Sequence, residues 1–243
     1  MAKTLKDPKD IFKEIIADYQ GIYGNDLIGI ILYGSAAGED YQPGKSDINF
    51  MIILSEEGIE HLDRAFTVVK KWRKKDVAIP LFLTESYLET SLDVFPIEYL
   101  NFQRSYVHVS GKDILKDLRF DPEFIRLQCE REIKGKLLLL REAFLETSGK
   151  TRALKEVIRH SAPALVAIFR ALLFLKGEEV PKEKREVVRN TCEVFGMDAA
   201  VFKRLLDIKD KKIKPADKEM AGLFKEYLSE VRKLAKLIDA MGG

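Results

Sequence analysis

Two long apolar runs separated by a polar loop constrain the fold of this chain more than any other feature. The first run, Leu27–Tyr33, ends abruptly at Gly34-Ser35, and the second, Asp47–Leu54, opens with polar and apolar residues in alternation. Continuous apolar runs of this kind are typical of strands that are buried on both faces of a sheet. Because side chains alternate between the faces of a strand, Asp47 and Asn49 share one face. The sequence therefore predicts two core strands joined by a polar loop.

Further helix and strand patterns fill the first 120 residues. Apolar residues at three- and four-residue spacing indicate helices, and short apolar runs indicate strands. The predicted elements are helices over Asp10–Tyr23 and Gly58–Arg73, a third strand over Val77–Leu83, and a strand pair or one long bent strand over Ile97–Val109. Thr84 is a candidate N-cap for a short helix, and Pro96 suits the first position of a strand. This alternation predicts an α/β (α+β) fold with a mixed sheet and flanking helices.

After about Phe120 only helix patterns remain. Asp121-Pro122 is a typical helix start, and a second helix over Thr151–Lys176 is expected to kink or break at Pro163 and to end at Gly177. The later part of this helix is apolar nearly all round, which predicts the central helix of a bundle. Further helices are predicted near Lys182–Phe195, Asp198–Ile208 and Ala216–Met241. We therefore predict two domains, an α/β domain over residues 1–120 and an all-α helical bundle over residues 121–243.

The overall charge argues against a protein that coats nucleic acid. The chain has 41 Lys and Arg residues against 39 Asp and Glu residues, a net charge of +2, whereas that mode of binding needs a clear basic excess. The balance is unevenly divided, because residues 1–120 carry a net charge of −4 and residues 121–243 a net charge of +6. We expect no extended nucleic-acid binding, although this distribution suits a small phosphorylated ligand.

The sequence also predicts a cytoplasmic location. The first ten residues contain no apolar stretch of the kind that a signal peptide needs. The longest apolar run, between Ser161 and Leu175, is shorter than the about 20 residues that span a bilayer, so no membrane association is expected. Cys129 and Cys192 are too few for a disulfide framework and are expected to be buried thiols.

The polar loop and the strand start behind it have the chemistry of a phosphate and metal site. Glycine permits close backbone approach, so Gly34-Ser35 can present N–H groups and a hydroxyl to a phosphate. Two acidic residues at positions i and i+2 of a strand would hold a divalent ion, and Mg²⁺ favours a few carboxylates together with substrate phosphates. Here Asp47 is followed at the second position by Asn49. Lys45 is either a phosphate contact or an ordinary solvated loop lysine.

The segment Leu32–Asn49, with the sequence LYGSAAGEDYQPGKSDIN, resembles the signature of the DNA polymerase beta-like nucleotidyltransferase superfamily. That signature comprises an apolar strand, Gly-Ser, a spacer of roughly ten residues and Asp-x-Asp or Asp-x-Glu at the head of another apolar strand. A helical bundle behind such a domain is similar to the arrangement in kanamycin nucleotidyltransferase. The resemblance implies transfer of a nucleoside monophosphate from a nucleoside triphosphate (NTP) to a hydroxyl of a small molecule or a protein.

The resemblance also implies roles for individual residues. The residues that would bind the phosphates of the NTP are Gly34, Ser35, Lys45 and Ser46. The residues that would act as catalytic ligands of Mg²⁺ are Asp47, Asn49 and Glu98. The second substrate is an acceptor that the sequence does not identify.

This sequence departs from the superfamily pattern at the metal site. Asn49 stands where the family has its second carboxylate, and the strand predicted over Val77–Leu83 offers no third one. Glu98 is the nearest replacement flanked by apolar residues, and Asp93 is the next. Since changes to outer-shell partners alone cost about 10–100-fold in metal affinity or activity, we expect weak, one-metal or altered catalysis, or none.

Three interpretations follow from these residues. The first is an active nucleotidyltransferase. The second is a catalytically degenerate descendant that binds a nucleotide or a partner without turnover. The third is an interaction module in which the helical half docks a partner or a second copy of the chain as a homodimer. Nucleotide binding without turnover would indicate the second interpretation, and no nucleotide binding with any metal would indicate the third.

Overall fold

The structure is a computed structural model that describes residues 5–38 and 41–242, and the chain divides into two compact units. The first unit runs to Leu92 and resumes over Tyr99–Arg119. The second unit comprises Asp93–Glu98 and the chain from Phe120 onward. A short segment that precedes residue 120 in sequence therefore groups with the helical part of the chain.

The first unit is built on a four-stranded sheet flanked by helices. Its elements within the described residues are α1 (Phe12–Tyr23), β1 (Leu27–Tyr33), β2 (Asn49–Leu54), α2 (Glu56–Ile59), α3 (Phe66–Arg73), β3 (Leu81–Leu83), α4 (Glu85–Thr90), most of α5 (Pro96–Arg104), and β4 (Tyr106–Gly111). The strand order is β3-β2-β1-β4, in which β1 pairs antiparallel with β2 and β4, and β2 pairs parallel with β3. The predicted mixed sheet is confirmed.

The strands β1 and β2 form the buried centre of this sheet. Ile30–Leu32 in β1 and Phe50–Leu54 in β2 are at most 1% exposed, as predicted for strands that are buried on both faces. Helix α1 adds Ile15 and Tyr19 to the same hydrophobic core. Removal of these apolar side chains from water is the main force that holds the strands in place.

The prediction of strands over Ile97–Val109 is wrong for its first half. Pro96–Arg104 forms helix α5, and only the segment after it forms a strand, β4. Pro96 occupies the first helical position, where no intrahelical partner is needed for an N–H and the fixed φ of proline suits the helix. The buried Ile97 and Leu100 lie three residues apart, which is helical spacing. Apolar character alone did not distinguish this short helix from a strand.

Two other elements are shorter than predicted. The helix predicted over Gly58–Arg73 is broken into α2, a 3₁₀ turn over Leu62–Ala65, and α3. The strand predicted over Val77–Leu83 is reduced to β3 and one isolated parallel bridge. Pro80 has no N–H to donate to a ladder, which accounts for the interruption of this edge strand.

The predicted helix ends at three places are confirmed. Thr84 caps α4 by accepting a hydrogen bond from the backbone N–H of Tyr87. Asp121 caps the following helix in the same way through the N–H of Glu123. Gly177 has φ +70° and follows the next helix, which is the left-handed conformation that ends many helices.

The second unit is a bundle of long helices. Beyond Phe120 its described elements are α6 (Pro122–Glu146), α7 (Thr151–Leu175), α8 (Lys184–Val194), α9 (Ala199–Lys209) and α10 (Asp217–Asp239). Helix α7 packs against each of the other four, as predicted for a central helix. The expected break at Pro163 is wrong, because α7 is one helix of 25 residues with this proline on its exposed side. The expected kink stays a prediction. Proline removes one hydrogen bond of the helix ladder, and on the exposed side of a helix a freed carbonyl can bind water instead.

By length and composition, α7 is the one helix within the described residues that could cross a membrane. Half of its most apolar stretch is buried inside the unit, and the helix packs against its neighbours in the bundle. The residues Met1–Thr4, on which part of the prediction of a cytoplasmic location depended, lie outside the described residues. The cytoplasmic location stays a prediction.

A hydrogen bond from the single tryptophan of the chain joins α3 to α1. Trp72 is 1% exposed, and its Nε1 donates to Asp18 Oδ2 over 2.9 Å. Lys71 Nζ donates to the same carboxylate oxygen over 2.6 Å and also pairs with Glu14. Asp18 therefore satisfies a buried donor, whereas Glu14, 48% exposed, makes only surface ion pairs.

Replacement of Asp18 by alanine should lower the free energy of unfolding of the first unit by about 2 kcal/mol, since a buried N–H without an acceptor costs about 1–3 kcal/mol. Glu14→Ala on the same helix is the matched control and should cost less than about 1 kcal/mol, because exposed ion pairs contribute little. Urea unfolding followed by the fluorescence of Trp72 measures both values. Equal losses in the two variants would contradict this assignment.

Candidate functional site

The pairing of β1 with β2 brings the end of one strand to the start of the other. Tyr33, the last residue of β1, is the register partner of Asn49, the first residue of β2. The segment Gly34–Ala37 then forms a single 3₁₀ turn, and Gly34 has φ +77°, a left-handed conformation that glycine adopts without strain. The Gly-Ser loop and the polar start of β2 therefore lie at the same end of the sheet.

The Asn49 side chain lies between this loop and Asp47. Its Nδ2 donates to the backbone oxygen of Asp47 over 3.4 Å, and the same atom lies 3.6 Å from the position of a Cβ built on Gly34. Asp47 is exposed, and within the described residues its carboxylate has no ion-pair or hydrogen-bond partner. The Asn49 amide thus contacts the Asp47 backbone and lies near the loop, while the Asp47 carboxylate is open to solvent.

A residue that the sequence patterns did not indicate holds the loop in place. Ser105 lies between α5 and β4, and its backbone oxygen accepts a hydrogen bond from the Gly34 N–H over 3.3 Å. Its Oγ donates to the Gly34 oxygen over 3.4 Å. Tyr33 pairs with Tyr106 in the β1–β4 ladder, which places Ser105 at the same end of the sheet. Only the register of β4 reveals this contact, so no pattern in the sequence points to it.

Lys45 and Ser46 belong to a turn that precedes β2. The N–H groups of both donate to the Gln42 oxygen, over 3.0 and 2.9 Å, and Ser46 Oγ accepts from the Gln42 N–H over 3.1 Å. Lys45 is exposed and has no ion-pair partner within the described residues. The spacer residues Glu39 and Asp40 lie outside that part of the chain. Ser46 therefore shapes the turn, and Lys45 presents its cation to solvent.

Glu98 is not grouped with these residues. It lies on α5, rather than on the predicted strand, and in the segment that belongs to the second unit. Its carboxylate accepts a hydrogen bond from Gln128 Nε2 over 2.7 Å, and the buried Gln128 accepts one from the Ile97 N–H over 2.9 Å. In the described part of the chain, no three His, Cys, Asp or Glu side chains come together as a metal site. The observed contact of the Glu98 carboxylate is with Gln128 of α6. Its role as a metal ligand stays a prediction.

Two tyrosines next to the loop are protonated at neutral pH. Burial raises the pKa of Tyr33, whose ring packs against Phe102 with the centroids 4.7 Å apart. The pKa of Tyr106 is raised to about 12. Burial is the larger cause, and the hydrogen bond that the Tyr106 hydroxyl donates to Asp113 is the second. A general base must be deprotonated near the operating pH. Neither phenol meets that condition, so neither tyrosine is suited to act as a general base.

Comparisons with known proteins give a match in structure and none in sequence. No protein-family profile and no curated protein matches the chain. Its structure is similar to that of spectinomycin adenyltransferase AAD(9) from Enterococcus faecialis, solved with ATP and spectinomycin, with a TM-score of 0.51 and 13% sequence identity. The similarity covers 90% of this chain and 99% of that one. The chain has the nucleotidyltransferase fold.

The nucleotidyltransferase fold confirms the predicted fold class, a mixed sheet with flanking helices followed by a largely helical region. It also confirms, at the level of fold, the resemblance that the motif of residues 32–49 suggested. Within this fold the structure brings Gly34, Asp47 and Asn49 together. The roles of these residues in binding and catalysis stay predictions.

Substitution of Gly34 should strain the loop of this nucleotidyltransferase fold. A left-handed φ costs a residue with a side chain about 1–2 kcal/mol, so Gly34→Ala should lower the free energy of unfolding of the first unit by that amount. Gly21→Ala, at an exposed position of α1 with open space around a Cβ, should raise it by about 0.5–1 kcal/mol. Thermal unfolding of both variants tests the assignment, and an unchanged stability in Gly34→Ala would contradict it.

Proposed function

We propose that this chain is a nucleotidyltransferase-type enzyme that transfers a nucleoside monophosphate from an NTP to a hydroxyl of a small molecule or a protein. The observation that carries the proposal is the position of the Gly34-Ser35 loop beside Asp47 and Asn49 in a nucleotidyltransferase fold. The similar adenyltransferase structure contains ATP and spectinomycin. This neighbour supports an NTP as donor and a small molecule as acceptor.

In this proposal the loop binds the phosphates of the NTP. Gly34 lets the backbone approach a phosphate closely, and the Ser35 hydroxyl donates a hydrogen bond to it. Lys45 supplies a positive charge from the turn that precedes β2. Ser46 uses its oxygen to accept from Gln42, which leaves its hydroxyl proton free to donate to a phosphate oxygen. The four residues thus combine neutral donors with one cation.

The residues beside the loop fit one magnesium ion that arrives with the NTP. Mg²⁺ keeps several waters and is usually bound through one or two carboxylates together with substrate phosphates. Asp47 offers one free carboxylate, and Asn49 offers one neutral amide oxygen while its Nδ2 contacts the Asp47 backbone. They offer a single negative charge, which suits one ion better than two ions held close together. Bound there, the ion would neutralise negative charge on the phosphates.

The proposed reaction needs alignment more than covalent chemistry. The acceptor oxygen forms a bond to the α-phosphorus, the bond from that phosphorus to the α–β bridging oxygen breaks, and pyrophosphate leaves. The hydroxyl proton passes to a general base or to water. The chain would hold the triphosphate on the loop and neutralise part of its negative charge. Positioning and charge stabilisation account for most of the rate enhancement in phosphoryl transfer.

One observation favours a second candidate function, nucleotide binding without turnover. Asn49 brings no negative charge to the position where the superfamily has its second carboxylate, and its amide contacts the Asp47 backbone instead. Glu98, the nearest replacement in the sequence, contacts Gln128 in the second unit. A chain that keeps the phosphate loop and lacks a metal ligand would act as a nucleotide sensor or as a regulator of a partner.

Assays of pyrophosphate release distinguish these two functions. The purified chain is incubated with each NTP, with Mg²⁺ or Mn²⁺, and with a panel of hydroxyl acceptors that begins with spectinomycin. We expect turnover that falls about 100-fold in Asp47→Ala, because loss of a direct metal ligand costs at least as much as loss of an outer-shell partner. Asp63→Ala, at an exposed acidic residue of a 3₁₀ turn, is the control and should retain activity.

The variant Asn49→Asp separates the two functions further. In an active enzyme the second carboxylate should raise the apparent affinity for Mg²⁺ about ten-fold or more. An inert wild type that binds NTP in isothermal titration and gains turnover in Asn49→Asp would establish the second function. Wild-type activity that survives Asp47→Ala would show that the proposed site is wrong.

A further inference from the structure

The outward face of α6 carries apolar side chains that the described residues leave open to solvent. Leu138, Leu139 and Leu145 are 63%, 65% and 78% exposed, and Phe124 and Leu127 are 39% and 45% exposed. The opposite face of α6 is buried against α7 and α10. Isolated exposed leucines are ordinary, but a row of them along one helix marks an interaction surface.

Four of these side chains follow one line along the helix, and Leu139 lies beside it. The line, which we call the α6 seam, consists of Phe124, Leu127, Arg131, Gly135, Leu138, Glu142 and Leu145. Its spacing of three and four residues is the pattern of a helix that packs lengthwise against another helix. Ion pairs inside the chain border the seam, with Glu132–Lys136 on one side and Glu130–Lys134 on the other. The border charges are already neutralised, so they do not call for a charged partner.

The α6 seam itself contains two charges of opposite sign. Arg131 and Glu142 are exposed, and neither has an ion-pair or hydrogen-bond partner in the part of the chain that the structure describes. Lys134, at the border, is different because it is bound to Glu130 and Asp239. In a two-fold interface residue i contacts residue j and j contacts i. Arg131 and Glu142 lie too far apart along one helix to pair with each other, whereas a two-fold axis can place each against the opposite charge of the second copy.

We propose that the α6 seam is the interface of a homodimer in which two copies of α6 pack antiparallel about a two-fold axis. In this register Leu145 of one copy lies against Leu127 of the other, Arg131 against Glu142, and Gly135 against Leu138. The three pairs share a midpoint near residues 136 and 137, so one axis forms all of them at once, each twice. Apolar residues then meet apolar residues, and opposite charges meet.

The glycine of the α6 seam fits this packing. Gly135 lies near the middle of α6, where glycine is less favourable than any residue except proline. A Cβ at this position would meet nothing within 4 Å in the chain itself, so the packing inside the second unit does not require glycine. Close approach of Leu138 from a second copy does require a position without a side chain.

An open groove beside the first half of α6 receives the end of the other helix. It has a volume of about 490 Å³, and its lining includes Val94, Phe124, Leu127 and Arg131. Val94 is 45% exposed and adds a further apolar surface beside the helix. In the antiparallel register Leu145 of the second copy, the most exposed large apolar side chain of the described residues, enters the apolar side of this groove.

The size of the α6 seam sets the expected strength of the dimer. A helix of 25 residues is about 37 Å long and about 11 Å wide with its side chains. One such face buries about 400 Å² per copy, which lies in the range of weak and transient complexes. The dimer should therefore dissociate reversibly in the micromolar range.

Sedimentation equilibrium of the full chain tests the proposal. The average mass should rise from 27.8 kDa towards twice that value as the concentration passes from low to high micromolar. Arg131→Glu and Glu142→Arg place like charges opposite each other, and each should raise the dissociation constant about ten-fold or more. The double variant Arg131→Glu/Glu142→Arg exchanges the two charges and should restore the wild-type value.

Two further variants complete the test. Leu138→Glu should abolish the dimer, and Phe66→Glu, at a site 72% exposed in the first unit, is the matched control and should leave it unchanged. Circular dichroism verifies that each variant keeps the wild-type helix content, and Leu138→Gln replaces any Leu138→Glu protein that unfolds. A wild type that stays monomeric overturns the proposal, and would point to a different macromolecule on this face. A dimer that ignores Leu138→Glu, or a double variant that does not recover, overturns it as well.

Discussion

The antiparallel ladder of β1 and β2 pairs Tyr33 with Asn49, and the position of Asp47 and Asn49 beside the Gly34-Ser35 loop depends on this register. A slip by one residue would exchange the two faces of β2 and move Asn49 to the opposite face. Because Phe50–Leu54 are at most 1% exposed, such a slip would disrupt close packing on both faces of the sheet, and this cost protects the geometry of the loop. Gly34 leaves β1 beside the start of β2 because the core, and not the loop itself, fixes where the strands end.

Asn49 stands where the superfamily signature has a carboxylate, and this difference changes what stabilises the start of β2. Two carboxylates at neighbouring positions on one strand face repel each other until a cation arrives. An amide removes that repulsion, and its Nδ2 also donates to the backbone oxygen of Asp47. Asn49 is thereby tied to the backbone that precedes β2, and Ser105 holds Gly34 at the start of the loop. In the proposed function, the geometry of the loop would therefore depend less on a bound ion.

The parts of the structure that the sequence predicted are those with a local cause. The core strands, the caps at Thr84 and Asp121, and the central helix α7 each follow from residues within a few positions of one another. Helix α5 was missed because apolar residues with a proline at the start suit an edge strand as well as a short helix. The contact of Ser105 with Gly34 joins residues 71 positions apart, and no local pattern records it.

The α6 seam illustrates a second limit of sequence patterns. Apolar residues of α6 lie both on the buried face, at Ile133 and Leu137, and on the exposed face, at Leu138 and Leu145. Periodicity identified the helix but did not divide these residues between the two faces. The division needs the positions of α7 and α10, which only the folded chain supplies.

The path of the chain between the two units has a consequence for any attempt to separate them. The chain leaves the first unit after Leu92 and contributes Asp93–Glu98 to the second unit. It then returns to the first unit over Tyr99–Arg119, and the rest of the chain belongs to the second unit. The buried side chain of Gln128 donates a hydrogen bond to the Glu98 carboxylate and accepts one from the Ile97 N–H. A fragment that begins at residue 120 would therefore contain Gln128 without either partner. A single cut at residue 120 therefore leaves the second unit without Asp93–Glu98, whereas the fragment before the cut retains every residue of the first unit.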